Sequence, residues 1–125
     1  MASLTLEALK AYCLSKPGSN AGYPFDQVTL VIKVLDRMFA LISEDENPLR
    51  INLKCDPDDA LALRTEYPAI TPGYHMNKRL WNSLIMDGSL PKSLVHELID
   101  HSYDLVVGKM SQSKQRKLRA IKKES

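Results

Sequence analysis

The sequence predicts an α+β fold, in which an antiparallel sheet has helices packed on it. Helix-like stretches begin and end the chain and interrupt its middle, while the segments between them are typical of strands. Two apolar, strand-like runs, residues 29–35 and 38–43, are separated by only two residues, which favours a hairpin. The order helix, strands, helix, strands, helix is that of the α+β class.

Three helices are predicted from their ends. The first begins near Thr5, a suitable N-cap, and ends by Pro17-Gly18. The second opens at Asp56, with Pro57 at its first helical position. The third begins around residues 89–91. Its expected buried stripe consists of Leu94, Val95, Leu98, Ile99, Ser102, Tyr103 and Val106.

Strands are expected on both sides of the second helix. Residues 49–55, "LRINLKC", alternate and predict a third strand with one solvated face. Residues 69–88 are expected to hold one or two further strands, and residues 18–22, "GSNAG", are interpreted as a polar link. In the third strand the inward residues are Leu49, Ile51 and Leu53, and the outward ones are Arg50, Asn52 and Lys54.

Charge is distributed unevenly along the 125 residues. The net charge is +2, yet seven of the 17 Lys and Arg residues lie between Lys109 and Lys123, where there is no Asp or Glu. Residues 1–108 therefore hold ten basic and fourteen acidic residues, a balance of −4. We expect one domain over residues 1–110 and a basic C-terminal tail over residues 111–125 that forms a short helix.

Two interpretations of this tail remain open. It is either a solvated terminal helix or an arm that contacts phosphate, with Leu118 and Ile121 holding one of its faces to the domain. In the second case the phosphate contacts would come from Lys114, Arg116, Lys117, Arg119, Lys122 and Lys123.

The sequence contains no recognisable catalytic constellation. In "HELIDH" the histidines His96 and His101 are five residues apart, whereas a zinc-protease helix needs two histidines four apart on one face. Nothing marks Cys55 as an activated thiol, and helix capping explains the acidic residues Asp56, Asp58 and Asp59. We therefore expect a non-catalytic domain with no metal and no cofactor.

The expected location is the cytoplasm. Cys13 and Cys55 form no CxxC pair, which favours reduced thiols. The first residues, "MASLTLEALKAYC", lack a basic region and are interpreted as a helix rather than a signal peptide. No apolar run approaches the length needed to span a bilayer, so no membrane partner is expected. We also expect a monomer.

Several segments resemble the MmcQ/YjbR family: "YPFDQVTLVIKV", "NLKCDP", "YPAITPGYHMNKRLWN", and "DGSLP" followed by "ELIDHSYDLV". The resemblance covers nearly the whole domain, from the first helix to the end of the long helix. It implies a frataxin-like (CyaY-like) α+β fold, also described as a double-wing arrangement. Members are commonly described as DNA-binding, mainly by analogy of fold, and the resemblance supplies no catalytic residues.

The chain departs from the family pattern at three places. The first hairpin turn reads Leu35-Asp36-Arg37, where members often have Gly-Gly-Lys. Leu80 precedes the tryptophan where many members have histidine, and Ser83 replaces a threonine but keeps its hydroxyl. Frataxins bind iron through acidic residues early in the fold. Because the first helix has only Glu7, that function is not transferred.

Two functions remain open. The first is DNA binding, in which phosphate contacts supply most of the non-specific affinity. If the loop "EDENP", residues 44–48, is one of the wings, its three acidic residues would repel phosphate. The candidate contacts are Lys33, Arg50, Lys54, Lys78, Arg79 and the tail.

The second is binding of an anionic or planar small molecule, or of a protein partner, by the sheet face around His75, Asn77 and Trp81. A continuous stripe of basic side chains would favour DNA, whereas convergence of these three residues on a concavity would favour a ligand. A simpler interpretation is that turns at Pro72-Gly73 and Asp87-Gly88, and packing of Trp81, explain most of this polar stretch.

Overall fold

The computed structural model describes residues 4–74 and 76–124, and for residues 122–124 it describes the backbone alone. Helices and strands follow one another along this part of the chain. They are α1 (Leu6–Leu14), β1 (Ser19–Gly22), β2 (Thr29–Val34), β3 (Arg37–Ser43), β4 (Arg50–Lys54), α2 (Pro57–Glu66), β5 (Ile70–Pro72), β6 (Trp81–Ile85), α3 (Lys92–Gly108) and α4 (Gln112–Glu124).

The strands form one antiparallel sheet in the order β1-β2-β3-β4-β6-β5. The α+β class predicted from the sequence is therefore confirmed. The expected hairpin is present as β2 and β3, with Thr29 opposite Ser43 and Val34 opposite Arg37. Two strands, β5 and β6, occupy the segment where one or two were expected.

One face of the sheet, the helix face, packs against α1 and α3 and holds the main apolar core. Leu9 and Cys13 of α1 meet Val95 and Ile99 of α3 in this core, and burial of such side chains is the main driving force for folding. The predicted stripe of α3 is confirmed, although two of its leucines are only half-buried. Its fully buried members are Val95, Ile99, Ser102, Tyr103 and Val106.

Two of the three predicted helix starts are confirmed by side-chain capping hydrogen bonds, and the third helix begins at Lys92 without one. The Thr5 hydroxyl accepts from the backbone N–H of Ala8 at 3.1 Å, and the Asp56 carboxylate accepts from that of Asp58 at 3.3 Å. These bonds satisfy N–H groups that have no partner within the helix.

Strand β1 corrects the interpretation of residues 18–22 as a polar link. Ser19–Gly22 pairs antiparallel with Val34–Val31 and forms one edge of the sheet. Its side chains are small and none of them is buried, so no apolar alternation marks it in the sequence. Backbone pairing with β2 makes this strand, and side-chain pattern does not reveal it.

Asn52 corrects a second expectation, because it was predicted to face solvent and is only 5% exposed. The same prediction of solvent exposure is nearer the observed burial for Arg50 and Lys54, which are half-buried at the two ends of β4. Asn52 is buried because another part of the chain folds over this side of the sheet, as described below.

The C-terminal tail forms helix α4, which joins the main core through Leu118. Leu118 is 4% exposed and lies directly against Gly18, where a methyl group would collide with its side chain. Gly18 also has φ +73, a conformation that side chains other than glycine rarely adopt. Ile121, the other residue expected to anchor the tail, is 38% exposed.

Candidate functional site

The second face of the sheet, opposite the helix face, is partly covered by residues 73–80, here called the covering segment. His75, one of the predicted site residues, lies outside the described residues. Beneath the segment is a small apolar cluster separate from the main core. Its members are Val31, Leu41 and Trp81, with Met38, Met76 and Leu80 packed against them.

Polar bonds fix the covering segment to the sheet. The buried Ser83 hydroxyl donates to the side-chain oxygen of Asn52, and it accepts from the backbone N–H of Tyr74 at 2.9 Å. The Asn52 amide donates to the carbonyl of Tyr74 at 3.4 Å. At Gly73 the backbone passes so close to Trp81 that an added Cβ would lie 2.7 Å from the tryptophan Cβ. Gly73 is therefore required by close approach.

Most of the polar residues singled out in this stretch build a turn. The side-chain oxygen of Asn77 accepts from the backbone N–H of Arg79 at 3.0 Å, and its carbonyl accepts from that of Trp81 at 2.9 Å. The Lys78 ammonium donates to the Gly73 carbonyl at 3.3 Å. Trp81 is 8% exposed, so its ring contributes to packing beneath the segment.

Basic residues from several elements gather at one end of the sheet, here called the basic end. Strand β3 begins at Arg37, β4 ends at Lys54, and β6 begins just after Lys78 and Arg79, so antiparallel pairing places all of them at this end. Six basic residues of this end are Lys33, Arg37, Lys54, Lys78, Arg79 and Lys109. The Arg64 guanidinium also lies here, where it donates to the backbone carbonyls of Lys78 and Trp81. Asp36 and Asp56 are acidic residues at the same end.

Lys54 shows that these charges affect one another. Its ammonium loses part of its hydration by burial, and Lys109 and Arg37 repel it, so its pKa is lowered from the ordinary lysine value. Lys109 is the C-cap residue of α3, so this helix joins β3 and β4 in contributing to the three charges Arg37, Lys54 and Lys109.

The opposite end of the sheet is acidic. Here β3 runs into the loop "EDENP" and β2 is preceded by Asp26, so this acidic end consists of Asp26, Glu44, Asp45 and Glu46. Arg50 lies at this end, where its guanidinium is 3.3 Å from the Glu46 carboxylate and 4.4 Å from the Tyr74 ring centre. Arg50 is therefore separated from the other predicted basic contacts by the length of β4, about 13 Å.

A cavity of about 440 Å³, here called the sheet cavity, opens at the acidic end on the second face. Phe25 and Tyr74 supply its aromatic walls, and Met38, Leu41 and Met76 supply apolar surface. Arg50, predicted as a DNA contact, lines this cavity, whereas Asn77 and Trp81, predicted to bind a ligand, do not. Phe25 was not predicted as a site residue, although it is 65% exposed at this cavity. An aromatic residue in "YPFD" looks the same in the sequence whether it lines a cavity or simply belongs to a loop.

Helix α4 places basic side chains on the surface beside the basic end. Arg116, Lys117 and Arg119 are exposed, while Lys114 is half-buried and 3.5 Å from the Asp36 carboxylate. Lys122 and Lys123 belong to α4, and their side chains lie outside the described part.

Three of the residues examined for catalysis, Cys55, Asp59 and His101, lie together between α2 and α3, whereas His96 stacks on the Tyr12 ring of α1. A cavity of about 420 Å³ is lined there by Cys55, Asp59 and His101, among others. Burial, reinforced by Asp59 and Asp56, raises the pKa of the Cys55 thiol to about 11, so the thiolate is scarce near neutral pH. The nearest ring nitrogen of His101 is 3.8 Å from the Asp59 carboxylate. Among the described residues no group of three or more His, Cys, Asp or Glu could hold a metal ion.

The fold and these surfaces define a small α+β domain built on one antiparallel sheet, with helices on one face and a covered second face. None of its helices, over the residues that the structure describes, is long and apolar enough to cross a membrane. A family model described as YjbR matches residues 14–105. The chain therefore belongs to the YjbR family, as its resemblance to MmcQ/YjbR sequences indicated.

Individual relatives agree with this assignment. The protein YjbR of Escherichia coli K12 is 36% identical over 115 residues, which cover 92% of this chain and 98% of that protein. YyaQ of Bacillus subtilis is 28% identical over 82% of this chain and 98% of its own length. The crystal structure of Deinococcus radiodurans DR2400, with a DUF419 domain, superposes with a TM-score of 0.88 at 39% identity and covers 93% of this chain and 88% of that one.

Proposed function

We propose that this protein is a non-catalytic DNA-binding domain that contacts the phosphate backbone through its basic end. The observation that carries the proposal is the convergence of Arg37, Lys54 and Lys109 from two strands and a helix. Burial is the larger cause of the lowered pKa of Lys54, and repulsion by Lys109 and Arg37 adds to it. A phosphate bound there would offset that repulsion.

The same arrangement argues against the loop "EDENP" as a DNA-contacting wing. That loop belongs to the acidic end, and Glu44, Asp45 and Glu46 would face the phosphates. The hairpin turn between β2 and β3 lies instead at the basic end, beside α4. In this proposal the exposed residues Arg116 and Lys117 extend the phosphate-binding surface along α4.

The test is a fluorescence-anisotropy titration of a labelled DNA duplex at several salt concentrations, with three matched double variants of the full chain. Arg37→Gln/Lys109→Gln removes charge from the basic end, Arg116→Gln/Lys117→Gln from α4, and Lys10→Gln/Lys92→Gln from exposed positions elsewhere. Each pair removes two positive charges, so a difference between pairs reports position rather than net charge.

The wild-type chain is expected to bind, and the basic-end pair should weaken binding and reduce the salt dependence. Each lost phosphate contact lowers the slope of log K against log salt by about 0.9. Equal weakening by the basic-end and control pairs would refute the proposed contact surface. A wild-type chain that does not bind at low salt would refute DNA binding altogether, and loss in the α4 pair alone would assign binding to the tail instead.

The alternative function, ligand binding around His75, Asn77 and Trp81, is not favoured at that location. Asn77 is engaged in a turn and Trp81 is covered, as described above. The second face instead has a concavity at the sheet cavity. Its described walls do not include Asn77 or Trp81, and most of its charged residues are acidic.

A further inference from the structure

The sheet cavity combines three properties of a ligand site. It is concave, its apolar surface comes from Met38, Leu41 and Met76, and it has exposed aromatic side chains at Phe25 and Tyr74. Phe25 is 65% exposed and Tyr74 is 50% exposed, an unusual amount of accessible aromatic surface around one small cavity. These features suit the apolar or aromatic body of a small molecule.

The charged residues around the cavity determine which sign of charge the bound molecule should carry. Asp26, Asp45 and Glu46 line it, and Arg50 is the basic residue among its described lining. Asp26 accepts hydrogen bonds from the backbone N–H groups of Val28 and Thr29 and from the Thr29 hydroxyl. These bonds lower the pKa of Asp26, so it stays ionised, but their donors are neutral and leave its negative charge in place.

The contacts of Arg50 show that the cavity walls can bind a cation. Its guanidinium lies over the Tyr74 ring and beside the Glu46 carboxylate, so a cation already uses one aromatic face and one acid of the cavity. Asp45 forms no ion pair with any described residue. Asp26 and Asp45, with the exposed ring of Phe25, therefore offer the same combination to a second cation.

We infer that the sheet cavity binds a small organic cation, an amine or quaternary ammonium with an apolar or aromatic body. The aromatic rings attract such a cation through their electron-rich faces, and the carboxylates supply complementary charge. An anionic ligand would meet an excess of negative charge at this end of the sheet. This site is separate from the basic end, so it does not depend on DNA binding.

The experiment is an amide NMR titration of the full ¹⁵N-labelled chain with benzyltrimethylammonium. Benzyl alcohol serves as the neutral aromatic control and benzoate as the anionic one. The amides of Val28, Thr29 and Ser43, at the cavity wall, are the reporters. Asp26→Asn/Asp45→Asn tests the charge, with Glu66→Gln/Glu97→Gln as the matched exposed control, and it leaves the Arg50–Glu46 pair intact. Phe25→Ala tests the aromatic wall against the exposed Leu61→Ala.

Saturable shifts at the reporters are expected for the cation, with affinity at least about fivefold above that for benzyl alcohol. Asp26→Asn/Asp45→Asn should weaken binding about tenfold, and Phe25→Ala by a few-fold, while both controls leave it unchanged. Equal responses to all three compounds, or equal affinities in the charge and control variants, would overturn the inference. Reporter shifts that depend on protein concentration alone would also overturn it, because they would identify a second copy of the chain as the occupant.

Discussion

The Ser83 hydroxyl donates a hydrogen bond to the side-chain oxygen of Asn52, directly across the pairing of β6 with β4. Both residues are buried, and both also bond to the backbone of Tyr74. These two polar side chains thus hold the covering segment on the sheet. Their interaction is the first point at which the arrangement of the second face can be tested.

Ser83→Ala is expected to destabilise the fold by about 1–3 kcal/mol, because it removes the hydrogen bond to the buried Asn52 side-chain oxygen and the bond that the Ser83 hydroxyl accepts from the backbone of Tyr74. Urea unfolding followed by circular dichroism measures this free energy. Ser83→Thr, which retains the hydroxyl, is the matched control and should lose clearly less. Similar losses in both variants would show that shape rather than the hydrogen bond determines the stability here.

Leu118→Ala is expected to cost about 2–3 kcal/mol, because Leu118 is a buried member of the main core although it belongs to the tail. Ile121→Ala, three residues along α4 and exposed, should change the free energy of unfolding by less than about 1 kcal/mol. Thermal unfolding of the two variants measures the difference. An unaffected melting temperature in Leu118→Ala would mean that α4 does not contribute to the cooperative core.

The two thiols are expected to resist alkylation in the folded protein. Burial, despite the nearby Lys16, raises the pKa of Cys13 to about 12, and the pKa of Cys55 is raised to about 11. Iodoacetamide reacts with the thiolate, so at pH 8 both should react slowly when folded and rapidly in urea. Mass spectrometry after a timed reaction measures the modification. Fast labelling of Cys55 in the folded chain would contradict its assignment as an inert structural thiol.

Asp100 is expected to make stability depend on pH in the acid range. Burial raises its pKa, but hydrogen bonds from Lys16 and Tyr12 outweigh this effect and leave the pKa below the ordinary value. A lowered folded-state pKa means that the ionised form stabilises the fold above the unfolded value of about 3.9. This contribution is lost as the pH falls through the folded-state pKa.

The corresponding measurement compares wild type with Asp100→Asn by urea unfolding at pH 7 and pH 2.5. The Asp100 side chain is 41% exposed, so the difference at pH 7 should be only about 1 kcal/mol, and it should shrink at pH 2.5. Asp104→Asn, an exposed position one helical turn later, is the control and should show a smaller pH dependence. A difference that persists unchanged at pH 2.5 would rule out the ionised carboxylate as its source.

Local signals predicted the parts of the fold that local chemistry determines. Thr5 and Asp56 were recognisable as N-caps, and the short link between β2 and β3 indicated a hairpin. Strand β1 escaped prediction because backbone pairing forms it without an apolar pattern. Asn52 was misassigned because its partners, Ser83 and Tyr74, are 31 and 22 residues away in the chain.

The surfaces were predictable to a smaller extent. Four of the six residues named for the basic end, Lys33, Lys54, Lys78 and Arg79, were selected from the sequence. Arg37 and Lys109 were not selected, and Arg50 was grouped with the wrong end of the sheet. Only strand direction reveals that β4 carries Arg50 and Lys54 to opposite ends of the sheet. The sheet cavity depends on how Phe25 and Tyr74 meet across sequence-distant loops, which no single motif encodes.

The opposite charges at the two ends of β3 give the molecule a dipole moment that its net charge of +2 conceals. The seven residues of β3 separate these ends by about 20 Å, well beyond the Debye length of about 8 Å at physiological salt. At that salt each end acts on its own surroundings, with little influence from the other. In dilute buffer the charges are screened less, so both ends act on an approaching polyanion at once. The resulting torque would turn the basic end toward the polyanion before contact.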